Sequence, residues 1–318
     1  VECRSSARGC LLLRLAGAAL ALTTARPVTY IERQKALSRR VHRFDFQSTY
    51  HRGGCCGCRH RGRRSDLANG SGGLRRTKIQ AKASDNISTR GVRAMSWDAE
   101  ELDPQYPFDL FAVKFDLDKA HTALVVIDMQ VDYLHIDGNS PLGEKYPDIR
   151  SYFNTRIDEI VIPNTVKLIR AFSERDAKIA YTRNGCMTSL GDEMSERLRA
   201  LNNPPKLWRG TPRYEIAEAI YPRPEDLVID KLVSGGFTST QLDHALRNYG
   251  VRNVVIVGVF TDMCVLGTAR VAAELGFNTV ICEDCSATMT QRAHDEALLA
   301  HARRFGRVLT AEDLIEEL

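Results

Sequence analysis

The chain contains no methionine before Met95 and no apolar run approaching the ~18 residues that a membrane-spanning helix needs, so no membrane partner is expected. Disulfide-scaffold spacing is also lacking. Cys186, Cys264, Cys282 and Cys285 are scattered through the acidic part of the chain, as suits a reducing compartment. Cys55, Cys56 and Cys58 with His51 and His60 do not reproduce the paired spacing of structural zinc sites. The Arg-rich runs at Arg59–Arg64 and Arg75–Arg76 lack interleaved aromatic residues and any nucleic-acid-binding module, so nucleic acid is not an expected partner.

Charge divides the chain in two. Residues 1–94 carry 20 Lys and Arg against 5 Asp and Glu, whereas residues 95–318 carry 24 against 35. The first segment combines a short apolar stretch, Leu11–Leu22, with an Arg-rich, acid-poor continuation. It reads as a removable presequence, disordered on its own, or as spurious sequence upstream of a translation start at Met95. A start at Met95 implies a cytoplasmic protein; a genuine presequence implies plastid or mitochondrion. In both cases the folded unit is 95–318.

Within that unit, apolar runs alternate with amphipathic stretches from about residue 120 onward. Strands are expected at 123–128, 178–182, 227–230, 253–258, 278–282 and 307–309. Helices are expected at 156–174, 192–201, 239–249, 263–275 and 290–304, with Gly250 and Gly276 ending two of them. The Val and Ile content of the strands, with little polar alternation, predicts burial on both faces. The fold expected is α/β: a Rossmann-like three-layer α/β/α arrangement with a central, mainly parallel six-stranded sheet. Residues 96–119 are expected to wrap the surface. Five prolines punctuate 202–226, which is expected to be an irregular connection with at most a short helix at Glu215–Ile220, long enough to cover a site.

Three apolar runs end in residues capable of chemistry: Asp128, Lys231 and, in Gly-Val-Phe-Thr-Asp-Met-Cys, Cys264. In an open parallel sheet, groups at the carboxyl ends of neighbouring strands converge in one crevice. Cys264 falls at a strand-to-helix junction, where the helix dipole favours thiolate. A lysine about 4 Å away adds roughly 4 kcal/mol in the same direction, while a deprotonated Asp128 opposes it. Asp128 is placed to take the thiol proton and pass it to a leaving nitrogen, and backbone N–H groups of the 259–264 turn to hold an oxyanion. Taken singly, these residues have ordinary roles as a cap, a solvated cation and an apolar filler. The Cys282-x-x-Cys285 pair runs off a strand rather than opening a helix, which disfavours a redox role.

The segments VVIDMQVDY, VIDKLVSGGFTSTQLDHAL and VVIVGVFTDMCVLGTARVAAELGFNTVICEDC closely resemble the isochorismatase-like cysteine hydrolases over about residues 105–318. That resemblance implies a catalytic triad of Asp128, Lys231 and Cys264. It also implies a cis peptide between Val259 and Phe260, with an oxyanion hole from the backbone of Phe260 and Cys264. The approach WRGTPRYEIAEAIYPRPEDLVIDK and the signatures GFTSTQLD and CEDCSAT resemble the biuret and ureidoacrylate amidohydrolases. Small amide or ureide hydrolysis through a Cys264 thioester is therefore implied, with a homo-oligomer, dimer or tetramer, as the assembly. A nicotinamidase-type hydrolase and a non-catalytic scaffold of the same fold are the alternatives.

Nicotinamidases carry an Asp-x-His after the second strand, where this chain reads Tyr-Thr-Arg-Asn-Gly at 181–185, and His121 and His135 lack ligand spacing. No metal and no cofactor are expected. Candidate substrate contacts are Gln130, Tyr133, Arg183 and Phe237, with Gln291 a more remote one. For Tyr133 and Phe237 the alternative is plain packing, and for Arg183 an acidic neighbour.

Overall fold

A computed structural model of the protein describes residues 97–201 and 207–318. The basic runs and the first cysteine cluster fall outside the described residues. No described helix is long and apolar enough to cross a membrane.

Six parallel strands form the sheet: β1 Thr122–Ile127, β2 Lys178–Asn184, β3 Leu227–Lys231, β4 Asn253–Val259, β5 Asn278–Ala287 and β6 Arg307–Leu309, in the order β3-β2-β1-β4-β5-β6. The order reverses between β1 and β4, which opens a crevice outside their carboxyl ends.

The strands are apolar on both sides because both sides are covered. Leu124 and Val126 of β1 join Val255, Val257 and Val259 of β4 in one core cluster, and Ala123, Val125 and Ile127 join Val254 and Ile256 in the other. This alternation is the two-residue period of the pleat. Helices α5 Ile162–Glu174 and α10 Ala311–Glu317 supply Leu168, Phe172 and Leu314 to the first cluster. Helices α7 Leu242–Asn248, α8 Leu266–Glu274 and α9 Gln291–Ala302 supply Leu246, Ala269 and Leu298 to the second. Gly250 and Gly276 take the positive φ values expected past the ends of α7 and α8.

Several boundaries differ from the sequence reading. The helix expected over 156–174 is α4 Pro147–Arg156 and α5 joined by a π turn at Ile157–Val161. The helix expected from 263 starts with a second π turn, Thr261–Val265. The helix expected from 192 begins at Glu196, as α6 Glu196–Leu201. The largest difference is β5, which continues five residues past the expected end because Ile256 pairs with Ile281 and Gly258 with Ser286, leaving 282–285 opposite Val257 alone. Cys285, expected beyond the strand, thus sits within it together with Cys282. Before the sheet, α1 Ala99–Leu102 and α2 Phe108–Phe111 lie on the surface, with Phe108 alone of the latter buried.

The proline-rich connection is tied down where it is described. Residues 215–217 pair with 129–131 in extended form, through Val131 N–H to Glu215 O and Ala217 N–H to Met129 O. That pairing leaves only a 3-10 turn, Glu218–Ile220, in place of the short helix expected.

Gly258 shows how closely β1 and β4 approach. A Cβ there would meet Ile127 O at 2.1 Å, and its φ is +119°. Gly258→Ala is expected to cost roughly 3 kcal/mol, read as a lowered denaturant midpoint, because both strain and overlap oppose it.

Candidate active site

Asp128 follows β1 directly and adopts a left-handed backbone with φ 50°, a conformation short polar residues tolerate best. Lys231 ends β3, two strands away. Two spacings of about 4.8 Å separate β1 from β3, so the lysine must cross the end of β2. It does so over Thr182, whose hydroxyl donates to Asp128 Oδ1 at 2.7 Å. Lys231 Nζ lies 2.6 Å from Asp128 Oδ2, and both side chains are essentially inaccessible to solvent. The ammonium also donates to the carbonyls of Val233 and Ser234, each at 2.9 Å. Two of its three hydrogens are thereby taken by carbonyls, and Asp128 Oδ2 meets the ammonium as an ion pair.

Cys264 comes from the far side of the crevice, on the π turn after β4, and is 7% exposed. Its thiol is within hydrogen-bonding reach of both Asp128 and Lys231. The peptide Val259–Phe260 is cis. Met263 and Val265 both donate their N–H to Phe260 O, which curls the turn back on itself.

The ionisation of the thiol differs from the expectation. Burial, followed by the charge of Asp128, pushes its pKa up to about 12, and Lys231 only partly opposes this. The ammonium is already engaged by a carboxylate and two carbonyls, so the resting group is a thiol facing a carboxylate. At such a site thiolate forms only as the proton leaves.

Among the expected substrate contacts, Tyr133 lies within the electrostatic reach of Asp128 and Cys264. Burial, and then the charges of Asp128 and Cys264, hold its hydroxyl strongly in the neutral form, and its ring meets Phe260 edge-on at 6.1 Å. Phe237 shares the apolar cluster that contains Cys264, but its ring also packs on Phe277 at 5.7 Å.

The other contacts are spent on the fold. Gln130 is fully buried, donates to Tyr214 O at 2.8 Å and accepts from Asn184 N–H at 2.6 Å, so its amide braces the mouth instead of facing a ligand. Arg183 pairs with Asp230 and Glu215, both at 2.7 Å, and stacks over Tyr214, which matches its acidic-neighbour alternative. Gln291 is exposed at the start of α9 and bonds Tyr152 and Asp295. Sequence reasoning missed Thr182 and the Val233 and Ser234 carbonyls. A signal for Thr182 was available: its hydroxyl ends the run expected as a strand at 178–182, as Asp128 ends the one before.

Among the described residues, the side-chain atoms of Cys282, Asp284 and Cys285 lie within 4.8 Å of one another, close enough to surround a cation. The group is poorly suited to one. Asp284 already accepts from Ala311 N–H, Asn164 Nδ2 and the Cys282 thiol, and burial pushes both Cys282 and Asp284 toward their neutral forms. Metal ligands need the deprotonated forms.

The fold and site define a doubly wound α/β protein with a carboxylate, an ammonium and a thiol gathered at its switch point. The family model described as the isochorismatase domain matches residues 122–313, and the chain belongs to that family of hydrolases. It is 28% identical over 212 residues to the ureidoacrylate amidohydrolase of Agrobacterium fabrum, covering 62% of this chain and 90% of that protein. A second ureidoacrylate amidohydrolase, from Rhizobium rhizogenes, is also 28% identical over 212 residues, covering 62% of this chain and 83% of that one. An isochorismatase family protein from Burkholderia thailandensis superposes with a TM-score of 0.52 at 27% identity, over 64% of this chain and 97% of that one. A cysteine hydrolase from Pseudomonas syringae shares the fold with a TM-score of 0.54 at 24% identity, over 65% and 96% of the two chains.

Two measurements test the geometry. Alkylation of Cys264 by iodoacetamide is expected to accelerate about tenfold per pH unit from pH 7 to 10 without levelling, since only the thiolate reacts; a plateau below pH 8 would mean a resting thiolate. Gln130→Leu is expected to lower the unfolding free energy by about 2 kcal/mol, because it strands a buried N–H and a buried carbonyl.

Proposed function

We propose that the protein is a cysteine-dependent amidohydrolase that cleaves a C–N bond of a small amide or ureide, with Cys264 as nucleophile, Asp128 as acid and base, and Lys231 as the partner that holds Asp128 in place. The observation that carries this reading is the contact of a buried thiol with the Asp128–Lys231 pair at the switch point. Similarity to the ureidoacrylate amidohydrolases supports the choice of bond.

In the first step Cys264 Sγ attacks the substrate carbonyl carbon while its proton passes to Asp128. The tetrahedral oxyanion is held by the backbone N–H groups of Phe260 and Cys264. Asp128 then gives the proton to the leaving nitrogen, the C–N bond breaks, and an acyl- or carbamoyl-thioester remains with free amine or ammonia. Water attacks this thioester, again losing a proton to Asp128. The C–S bond breaks, and the proton returns to the departing sulfur, which restores the thiol and releases an acid or carbamate. A single carboxylate can serve both halves because the ion pair with Lys231 keeps it aimed at the sulfur while its protonation state alternates. The partly buried Tyr133 hydroxyl, which stays protonated, supplies a donor or acceptor for the substrate at the mouth.

The experiment is ammonia release by the full chain on ureidoacrylate-type acids, biuret, N-carbamoyl amino acids, nicotinamide and simple amides. A ureide or amide is expected to turn over, with Cys264→Ala and Asp128→Asn each slower by 10³-fold or more, on the order of losses seen when one member of a catalytic group is removed. Full activity in Cys264→Ala would refute the nucleophile, and turnover of nicotinamide alone would refute the ureide class. Lys231→Met is expected to lose activity and about 3 to 5 kcal/mol of stability in a denaturant titration, because Asp128 is left buried without its counter-charge.

A further inference from the structure

The turn that presents Cys264 is held from outside by a buried polar chain to which neither the triad nor the oxyanion groups belong. Thr261 Oγ1 lies 2.8 Å from His294 Nδ1, and both residues are fully buried. On the other side of the imidazole, Arg156 Nη2 lies 2.9 Å from Nε2. Arg156 reaches this point from the end of α4, and also donates to Glu283 Oε1 and to the Glu283 and Ser286 carbonyls in the bulged part of β5. Glu283 Oε1 stands 3.5 Å from His294 Nε2. Next to Thr261, Asp262 is tied by the Thr288 hydroxyl at 2.6 Å.

Donor and acceptor counting decides the proton. A guanidinium only donates, so the nitrogen facing Arg156 must accept. The imidazole proton is therefore on Nδ1, and it is donated to Thr261 Oγ1. Resting on the assignment of Cys264 as nucleophile, we propose that His294 is a positioning residue, held as the neutral Nδ1–H tautomer by the Arg156 donor against the pull of Glu283, which keeps the Thr261–Cys264 turn in register for the oxyanion.

Burial, the largest influence, and the charge of Arg156 favour the neutral imidazole, whereas Glu283 and Asp295 on its own helix favour the cation. The first two prevail, and the pKa falls below the ordinary histidine value. Protonation at lower pH would set an N–H against the Arg156 donor and break the chain at its centre. An acid limb in kcat follows from this, belonging to a residue that never touches substrate.

A glutamine amide has one acceptor and one donor at nearly the separation of the two ring nitrogens, and it does not titrate. The test compares wild-type full chain with His294→Leu and His294→Gln by 15N–1H NMR, turnover and iodoacetamide alkylation. Wild type is expected to show a protonated Nδ1 and an unprotonated Nε2 at pH 7. For His294→Leu, kcat is expected to fall about 30- to 100-fold, the scale of one lost oxyanion donor, with KM and Cys264 alkylation within about threefold. His294→Gln is expected to recover to within about fivefold of wild type, and its kcat to lack the acid limb. An Nε2-protonated ring overturns the proposal, as does a Leu variant that turns over normally or a Gln variant that keeps the acid limb. Equal losses of turnover and alkylation in both variants would show a merely structural role. If wild type turns over none of the substrates, the assignment of Cys264 has failed separately. The ring tautomer and the Phe260–Cys264 amide resonances, expected to shift in His294→Leu and to stay near wild type in His294→Gln, then decide for or against the positioning role.

Discussion

The ion pair of Asp128 and Lys231, closed to solvent, is the constraint around which the rest of the crevice is arranged. Removing two charges from water costs several kcal/mol per ion, and their mutual attraction offsets this only when the remaining hydrogen-bonding positions are filled. The surroundings fill them: Thr182 on Oδ1, and the Val233 and Ser234 carbonyls on the ammonium. The consequences reach into the backbone. Asp128 adopts a left-handed conformation to face the lysine, and across β1 from it Gly258 lacks the Cβ that would strike Ile127. The pair also bears on the state of Cys264: after burial, the charge of Asp128 does most to keep the thiol protonated, and Lys231 only partly opposes it.

The bulge in β5 is the second organising feature. Setting 282–285 against Val257 alone displaces Glu283 and the Ser286 carbonyl to where Arg156 can reach both. Arg156 thereby couples the end of α4 and the bulge to His294, and through it to the turn that carries Cys264. Its charge is matched by Glu283, with the two side chains 7% and 12% exposed, so this link has the same character as the Asp128–Lys231 ion pair: buried, paired and hydrogen-bonded. The thiols of Cys282 and Cys285 in the same bulge belong to the apolar cluster under α5 and α10.

The mouth of the crevice is built by side chains that looked, from their positions, like ligands for a substrate. Gln130 and Arg183 follow or end strands at the functional edge, where convergent groups are expected. Both are instead committed to the strap that runs from Leu207 toward β3: Gln130 to Tyr214, and Arg183 to Glu215 and Tyr214. Position at a strand end shows where a side chain starts but not what already satisfies it. Tyr133 remains in electrostatic contact with Asp128 and Cys264 because the strap pairs with the backbone beside it and leaves its hydroxyl toward the crevice.

The parallel sheet, its coverage by helices on both faces and the meeting of Asp128, Lys231 and Cys264 were legible in the sequence, because each follows from local pattern. Continuous Val and Ile runs require two covered faces, and a residue ending such a run is carried to the edge where parallel strands deliver their side chains. The length of β5, the π turns and the role of His294 were not legible. They depend on pairings between residues far apart in the chain: Glu283 with Arg156, and Thr261 with His294. The thiol ionisation was misjudged for the same reason. Sequence placed both a cation and an opposing carboxylate near the sulfur, but only the tertiary structure showed that burial and the carboxylate together outweigh the cation. Local periodicity thus determined the fold and which side chains meet at its edge, whereas tertiary structure decided their protonation and bracing, because both depend on which charges and hydrogen-bond partners share a space closed to water.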